Sequence, residues 1–304
     1  PELAKDDSLA LHTDLYEINM MSTYFKKGIA DRNAVFESFY RREPFGNGYA
    51  VYAGLEHIIN YLKNLKFTES DLQYLKENEG YDDDFIDYLR NLKLKLTIRS
   101  MKEGELVFAN EPILQVEGPL AQCQLVETAI LNIINFQTLL ATKAARIKLA
   151  VKDDGLMEFG SRRAQETDAA IWGARAAYIG GFDSTSNVRA GKLFGIPISG
   201  THAHALVEAF GSEYDAFKAY AETHKNCVFL VDTYDTVRSG VPNAIKVANE
   251  MGDKINFLGV RIDSGDMAYI SKQVRKELDD AGYPDAKIFA SNDLDENTIT
   301  NLKM

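Results

Sequence analysis

Residues able to do chemistry recur in the second half of the chain, each time just after a short apolar run. The segments are Gly160-Ser161-Arg162-Arg163, Asp183-Ser184-Thr185-Ser186-Asn187, Gly200-Thr201-His202-Ala203-His204, Asp232-Thr233-Tyr234-Asp235, Arg261-Ile262-Asp263-Ser264-Gly265-Asp266 and Ser291-Asn292-Asp293. Glycine lets backbone come close to a ligand. Hydroxyls and arginines grip phosphate or carboxylate, and aspartates hold Mg2+ or ribose hydroxyls. Together the six segments describe a site for a phosphorylated sugar with its metal. Two of the five histidines, His202 and His204, are separated by a single residue at one of these strand ends.

Each piece also has a plainer reading. Asp183, Asn187, Asp235 and Asp266 suit helix caps. Arg162 and Arg163 could form surface ion pairs, which contribute little. A lone histidine is usually structural, but a close pair at a strand end fits a reactive cleft better.

The elements that must present these segments alternate strand and helix. Strands are expected at 156–159, 179–182, 196–199, 227–231, 257–262 and 287–290. Helices are expected at 164–178, from Asn187, from Ala203, at 240–250, at 267–281 and from near Asp295. Strands separated by helices form a parallel sheet covered by helices. Six consecutive units indicate a (β/α) barrel that stops before an eighth unit, with its active site at the C-terminal ends of the strands.

Before residue 118 the pattern differs. Strands are expected at 34–40, 94–98, 105–108 and 113–116, with a helix at 52–65. Thr68, with Asp71 three residues on, marks the start of another helix. Residues 121–151 form one long helical stretch, in which Leu125, Ala129, Ile133, Phe136 and Leu140 recur near a 3.6-residue period. The fold class is therefore α/β: an N-terminal α+β open-sandwich domain over 1–118, then an irregular TIM-like (β/α) barrel over 119–304, incomplete in this chain and entered through the long helix.

Composition narrows the function. The 304 residues carry a formal net charge of −11, with 45% hydrophobic and 26% charged residues. An acidic chain repels nucleic-acid phosphates, and the basic clusters, such as Arg41-Arg42, are short, so no nucleic-acid partner is expected. Cys123 and Cys227 stand in apolar surroundings, which suits a reducing compartment and argues against a disulfide framework. No apolar run is read as a membrane span and no leader as a signal, so a cytoplasmic protein with no membrane partner is expected. Missing motifs exclude more. There is no G-x-x-x-x-G-K-[ST] phosphate loop, no G-x-G-x-x-G after a strand, no G-x-S-x-G elbow and no H-E-x-x-H helix.

Six ordered motifs resemble those of the nicotinate phosphoribosyltransferase family. They are Thr13-Asp14-Leu15-Tyr16, Glu158-Phe159-Gly160-Ser161-Arg162-Arg163, the stretch from Gly180 to Asn187, Gly200-Thr201-His202-Ala203-His204, the stretch from Val231 to Thr236, and the stretch from Gly259 to Asp266. The resemblance implies a type II phosphoribosyltransferase. Such an enzyme makes nicotinate mononucleotide and pyrophosphate from nicotinate and phosphoribosyl pyrophosphate, within NAD salvage. It uses ATP as co-substrate through a phosphohistidine, and Mg2+ as cofactor. His204 matches the phosphorylated position and His202 a more variable one. Tyr16, Thr201 and Arg261 would contact nicotinate, and Tyr16 would close over the ring from a neighbouring subunit of a homodimer with a shared active site.

General chemistry distributes the remaining roles. Arg261, or Arg162 and Arg163, can offer a fork to a pyridine carboxylate. Asp263, with Ser264 and Gly265, suits ribose hydroxyls or Mg2+, and Asp232 is a further candidate metal ligand. Gly160 would admit substrate close to the backbone. The family is longer and carries a glycine-rich phosphate loop in its last barrel strands, so the chain is expected to be a fragment ending before that loop. Two other readings compete. A metal-dependent barrel hydrolase would hold Zn2+ with His202 and His204. A nicotinamide or quinolinate phosphoribosyltransferase would differ in how the ring substituent is held.

Overall fold

The computed structural model describes residues 8–304. They divide into two compact units, one holding the chain to Lys148 together with Gly155–Ile198, the other Leu149–Asp154 together with Ser199–Met304.

The first unit opens with α1 (Leu15–Lys26), β1 (Asn33–Ser38), β2 (Ala50–Val51), α2 (Leu55–Asn64), α3 (Glu69–Glu79) and α4 (Asp83–Arg90). β3 (Thr97–Ser100), β4 (Leu106–Val107), β5 (Leu114–Pro119) and the long α5 (Leu120–Val151) follow. β5 is the central strand of an antiparallel sheet in the order β1-β5-β3, and β2 pairs antiparallel with β4. The expected capping pair is present: Thr68 and Asp71 exchange side-chain-to-backbone hydrogen bonds at the start of α3. The strand expected at 94–98 begins only at Thr97, because the Lys95 N–H donates to the buried Gln122 side chain of α5 instead of to a sheet.

α5 organises this unit. Ala121, Leu125, Val126, Ala129, Ile130 and Ile133 are buried in a core shared with Met21, Ile58, Leu72, Phe85 and Leu114. Each fully buried Leu, Ile, Val, Met or Phe among them contributes about 1.5–3 kcal/mol. Two α5 hydroxyls satisfy the short β2 region, since Thr142 accepts the Val51 N–H at 2.9 Å and Thr138 bonds both backbone groups of Ala53. By length and composition α5 could cross a membrane, which corrects the expectation that no apolar run approaches a span; 56% of its apolar window is buried within the protein.

The unit is completed by β6 (Met157–Glu158), α6 (Glu166–Ile179), β7 (Ser184–Thr185) and α7 (Val188–Phe194). β6 and β7 are parallel, and a single bridge joins Thr185 to Ile198. The strand expected at 179–182 lies at Ser184–Thr185, because α6 runs on through Ile179 and Gly180-Gly181 form the turn that ends it.

The second unit contains α8 (His204–Phe210), α9 (Glu213–Thr223), β8 (Asn226–Leu230), α10 (Val241–Met251), β9 (Asn256–Ile262), α11 (Met267–Asp280), β10 (Lys287–Ala290) and α12 (Glu296–Leu302). Its parallel sheet runs β10-β9-β8. The core combines Phe217, Cys227, Phe229, Val231, Val247, Val260 and Leu278. The α/β class therefore holds, while the irregular barrel, expected to be incomplete in this chain, is not seen as one continuous sheet. Among the described residues the parallel strands form a two-stranded and a three-stranded piece, and no sheet returns on itself. A barrel needs an unbroken ladder around its circumference. Two-residue strands at β6 and β7 and a lone bridge at Ile198 do not supply one.

Candidate active site

In the second unit, β8 and β9 end side by side, and the segments following them meet the start of α8. His204 is the first residue of α8, after the extended residue Ala203. Its Nδ1 lies 3.1 Å from the Thr233 hydroxyl. Its Nε2 lies 3.7 Å from Asp263 Oδ2 and 3.9 Å from Asp232 Oδ1. The His204 side chain is 38% exposed, so the ring is held yet reachable.

Asp232 anchors the cluster. Its side chain is only 2% exposed. Oδ2 accepts the Asp263 N–H at 2.9 Å and the Ser264 hydroxyl at 2.6 Å. Oδ1 is buried without a hydrogen-bond partner. Burying such an acceptor unmatched is costly. Asp263 turns Oδ1 to the Ser291 hydroxyl at 2.5 Å, and the Arg261 guanidinium lies 3.8 Å from the same oxygen. Arg261 Nη1 donates to the Thr201 hydroxyl at 2.5 Å. Gly265 takes φ +81°, and a Cβ there would meet Ile270 Cδ1 at 2.7 Å, so the turn after Ser264 needs glycine.

The structure thus gathers Thr201, His204, Asp232, Arg261, Asp263 and Ser264 at adjacent strand ends. Thr233 and Ser291, which fix His204 and Asp263, received no role from the sequence; their only signal was a hydroxyl just after a strand. Asp266 and Asp235 are helix caps, accepting the N–H of Tyr269 and of Arg238.

His202 is not a partner of His204. It is buried; its Nε2 accepts the Leu230 N–H at 3.2 Å and its Nδ1 lies 3.3 Å from the Ala203 carbonyl. The ring is therefore the neutral Nδ1–H tautomer, wedged against Phe217 and Tyr220. Burial holds its pKa below the usual value, with the Ala203 carbonyl acting in the opposite sense. With both nitrogens engaged, the His202/His204 zinc pair of the hydrolase reading fails. Among the described residues no three His, Cys, Asp or Glu side chains gather to hold a metal.

The remaining candidates sit in the first unit. Gly160, Arg162 and Arg163 form a tight turn after β6, in which the Arg163 N–H donates to the Gly160 carbonyl at 2.8 Å. Glu158, which the sequence left unassigned, shapes the turn by accepting the Gly160 N–H and the Thr185 hydroxyl. Asn187 donates to the Ser161 hydroxyl at 3.0 Å and caps α7, while Asp183 accepts the Leu156 N–H and caps nothing. Ser161, Thr167, Asn187 and Arg189 border a cavity of about 470 Å3 at the start of α6. Tyr16 stands on a different element, in the first turn of α1, with half its surface exposed.

Comparison with known proteins identifies the architecture. Residues 11–135 match the nicotinate phosphoribosyltransferase (NAPRTase) N-terminal domain, and residues 155–302 the nicotinate phosphoribosyltransferase (NAPRTase) family. The nicotinate phosphoribosyltransferase of Bacillus subtilis is 67% identical over 299 residues, which cover 98% of this chain and 61% of that protein. The human nicotinate phosphoribosyltransferase is 35% identical, with 96% of this chain and 65% of the relative covered. The crystal structure of human nicotinic acid phosphoribosyltransferase superposes with a TM-score of 0.89 at 33% identity, covering 96% of this chain and 70% of that one. A nicotinate-nucleotide pyrophosphorylase from Pyrococcus furiosus gives a TM-score of 0.79 at 27% identity, covering 97% and 69%. The chain spans about three fifths of the length of the curated relatives it matches. The chain belongs to the nicotinate phosphoribosyltransferase family.

Proposed function

We propose that the protein transfers phosphoribosyl from phosphoribosyl pyrophosphate to nicotinate, giving nicotinate mononucleotide and pyrophosphate in NAD salvage, with ATP hydrolysis coupled through phosphorylated His204. The observation that carries this reading is the setting of His204, partly exposed, with Thr233 at one ring nitrogen and Asp232 and Asp263 facing the other.

That setting suits a phosphoryl carrier. A proton on Nε2 faces two carboxylates and is stabilised there, so the neutral ring presents its lone pair at Nδ1. Nδ1 attacks the γ-phosphorus of ATP, the bond to the bridging oxygen breaks and ADP leaves. Water later cleaves the P–N bond. In the glycosyl step, the nicotinate ring nitrogen forms a bond to C1 of the ribose as the C1–O bond to pyrophosphate breaks. Developing positive charge on the sugar is stabilised by carboxylate, and positioning supplies much of the rate. Asp263, held by Ser291 and Arg261, is the carboxylate for the ribose, with Ser264 and Gly265 beside it. Arg261 and Thr201 form a joint donor pair for the nicotinate carboxylate. Gly160, Arg162 and Arg163 grip phosphate, and Tyr16 covers the pyridine ring from the partner subunit of a homodimer.

Mg2+ fits the same carboxylates. It binds oxygen and uses one or two protein carboxylates together with substrate phosphates. Asp232, whose Oδ1 lacks a hydrogen-bond partner, and Asp263 would hold it. When bound, the ion neutralises pyrophosphate charge. The same reading divides the chain into an N-terminal domain over 1–118 and a barrel domain over 119–304. It also places the protein in the cytoplasm.

The test is direct. Full-length protein incubated with ATP labelled in the γ-phosphate should retain an acid-labile label, and nicotinate should be turned over far better than nicotinamide or quinolinate. Equal use of nicotinamide, or a label that persists in His204→Ala, would refute the assignment.

A further inference from the structure

Asp232 and Thr233 reach His204 from a loop, and the loop needs support of its own. Its base is closed by Gly240. A Cβ on Gly240 would lie 1.8 Å from the Val231 carbonyl oxygen, so the backbone there presses directly on the residue preceding Asp232. Residues 236–240 form one wide π-turn, in which the Gly240 N–H donates to the Asp235 carbonyl at 2.8 Å. Single π-turns are uncommon and concentrate at functional sites.

The far side of the π-turn is fastened to α9. Glu213, the first residue of α9, is 2% exposed. Its Oε2 accepts the Ser239 hydroxyl, and Asn243 Nδ2 lies 3.5 Å away. Its Oε1 is buried with no hydrogen-bond partner. A leucine at this place would avoid that cost, so stability alone does not account for a carboxylate. Glu213 follows α8, the helix that begins at His204, after a two-residue link. One side chain therefore joins the segment carrying the histidine to the loop carrying two of its three partners.

We propose that Glu213 is a positioning residue: through Ser239 and the π-turn it sets Asp232 and Thr233 against His204. This rests on the reading of His204 as the reacting group. Glu213→Gln keeps an oxygen acceptor for Ser239, whereas Glu213→Leu and Ser239→Ala remove the tie.

The experiment uses full-length protein labelled with 15N-histidine, with the His204 ring signals assigned by their loss in His204→Gln. Glu213→Leu and Ser239→Ala should shift the His204 Nδ1 resonance as the Thr233 bond loosens. They should lower kcat by roughly 10- to 100-fold, the cost of misplacing a reacting group, with little change in KM for nicotinate. Glu213→Gln should restore both readouts. Wild-type His204 signals in folded Ser239→Ala would overturn the proposal, and that milder variant decides the matter if Glu213→Leu does not fold. A Gln variant as impaired as Leu would overturn the acceptor role. Shifted signals in a protein that does not use nicotinate would leave the positioning intact and reject the reaction.

Discussion

The Nε2 atom of His202 accepts the backbone N–H of Leu230 at 3.2 Å. This bond ties the segment before α8 to the last residue of β8, two residues before Asp232. His202 therefore supports the strand end at which His204 meets its partners. Replacing His202 by Phe keeps much of the ring packing but leaves the Leu230 N–H buried and unmatched, at a cost of about 1–3 kcal/mol. Urea unfolding should show that loss, while labelling of His204 by ATP should persist.

Asp232→Asn tests the anchor. One oxygen of Asp232 accepts two hydrogen bonds and the other faces His204. The amide can keep the first pair but presents N–H groups toward the ring. A stability loss of about 1–3 kcal/mol is expected from the mismatch, with a fall in phosphorylation of His204 that exceeds the fall in nicotinate binding. Phosphorylation rate and nicotinate affinity, measured separately, check this.

Glu103 and Arg175 form a bidentate pair at 2.7 and 2.8 Å, each side chain 17% exposed, and Glu103 also accepts the Gly54 N–H at the start of α2. Burial pushes the Glu103 pKa up, but Arg175 and the backbone donors outweigh it and hold the carboxyl below its usual value. The stability this gives is present above the ordinary carboxylate pKa and is lost as pH falls through the depressed one. Glu103→Ala strands a poorly hydrated guanidinium and should cost about 3–5 kcal/mol. Chemical denaturation at neutral pH measures it.

His57 stacks on Trp172 with centroids 4.1 Å apart, and Gln137 Nε2 donates to its Nδ1 at 3.1 Å. Burial lowers its pKa to about 4. The folded protein thus favours the neutral ring. Its contribution is fully present above the ordinary histidine pKa, about 6.5, and is lost as pH falls from there toward about 4. His57→Phe, which keeps the stack, should flatten the pH dependence of stability across that window. An unchanged slope in acid-unfolding curves would count against it.

Local rules read well from the sequence because they depend on near neighbours. The Thr68/Asp71 cap, the caps at Asn187, Asp235 and Asp266, the buried period of α5 and the strand at 287–290 all follow from residues a few positions apart. The strand at 179–182 was misplaced because its apolar residues finish α6, and only packing decides where a helix ends.

The sequence by itself determined which residues could do chemistry: hydroxyls, arginines, aspartates and glycines just after strands, with His204 among them. Only the tertiary structure decided their arrangement. It set His202 in the core and His204 in the site, although they are two residues apart, because the chain turns from extended to helical between them. It supplied Thr233, Ser291 and Glu213, whose partners lie 26 to 29 residues away along the chain. It also left the parallel strands in two pieces where their alternation with helices had suggested one barrel, incomplete in this chain. Periodicity reports the face a residue turns to the core, whereas strand pairing depends on hydrogen bonds between segments distant in sequence.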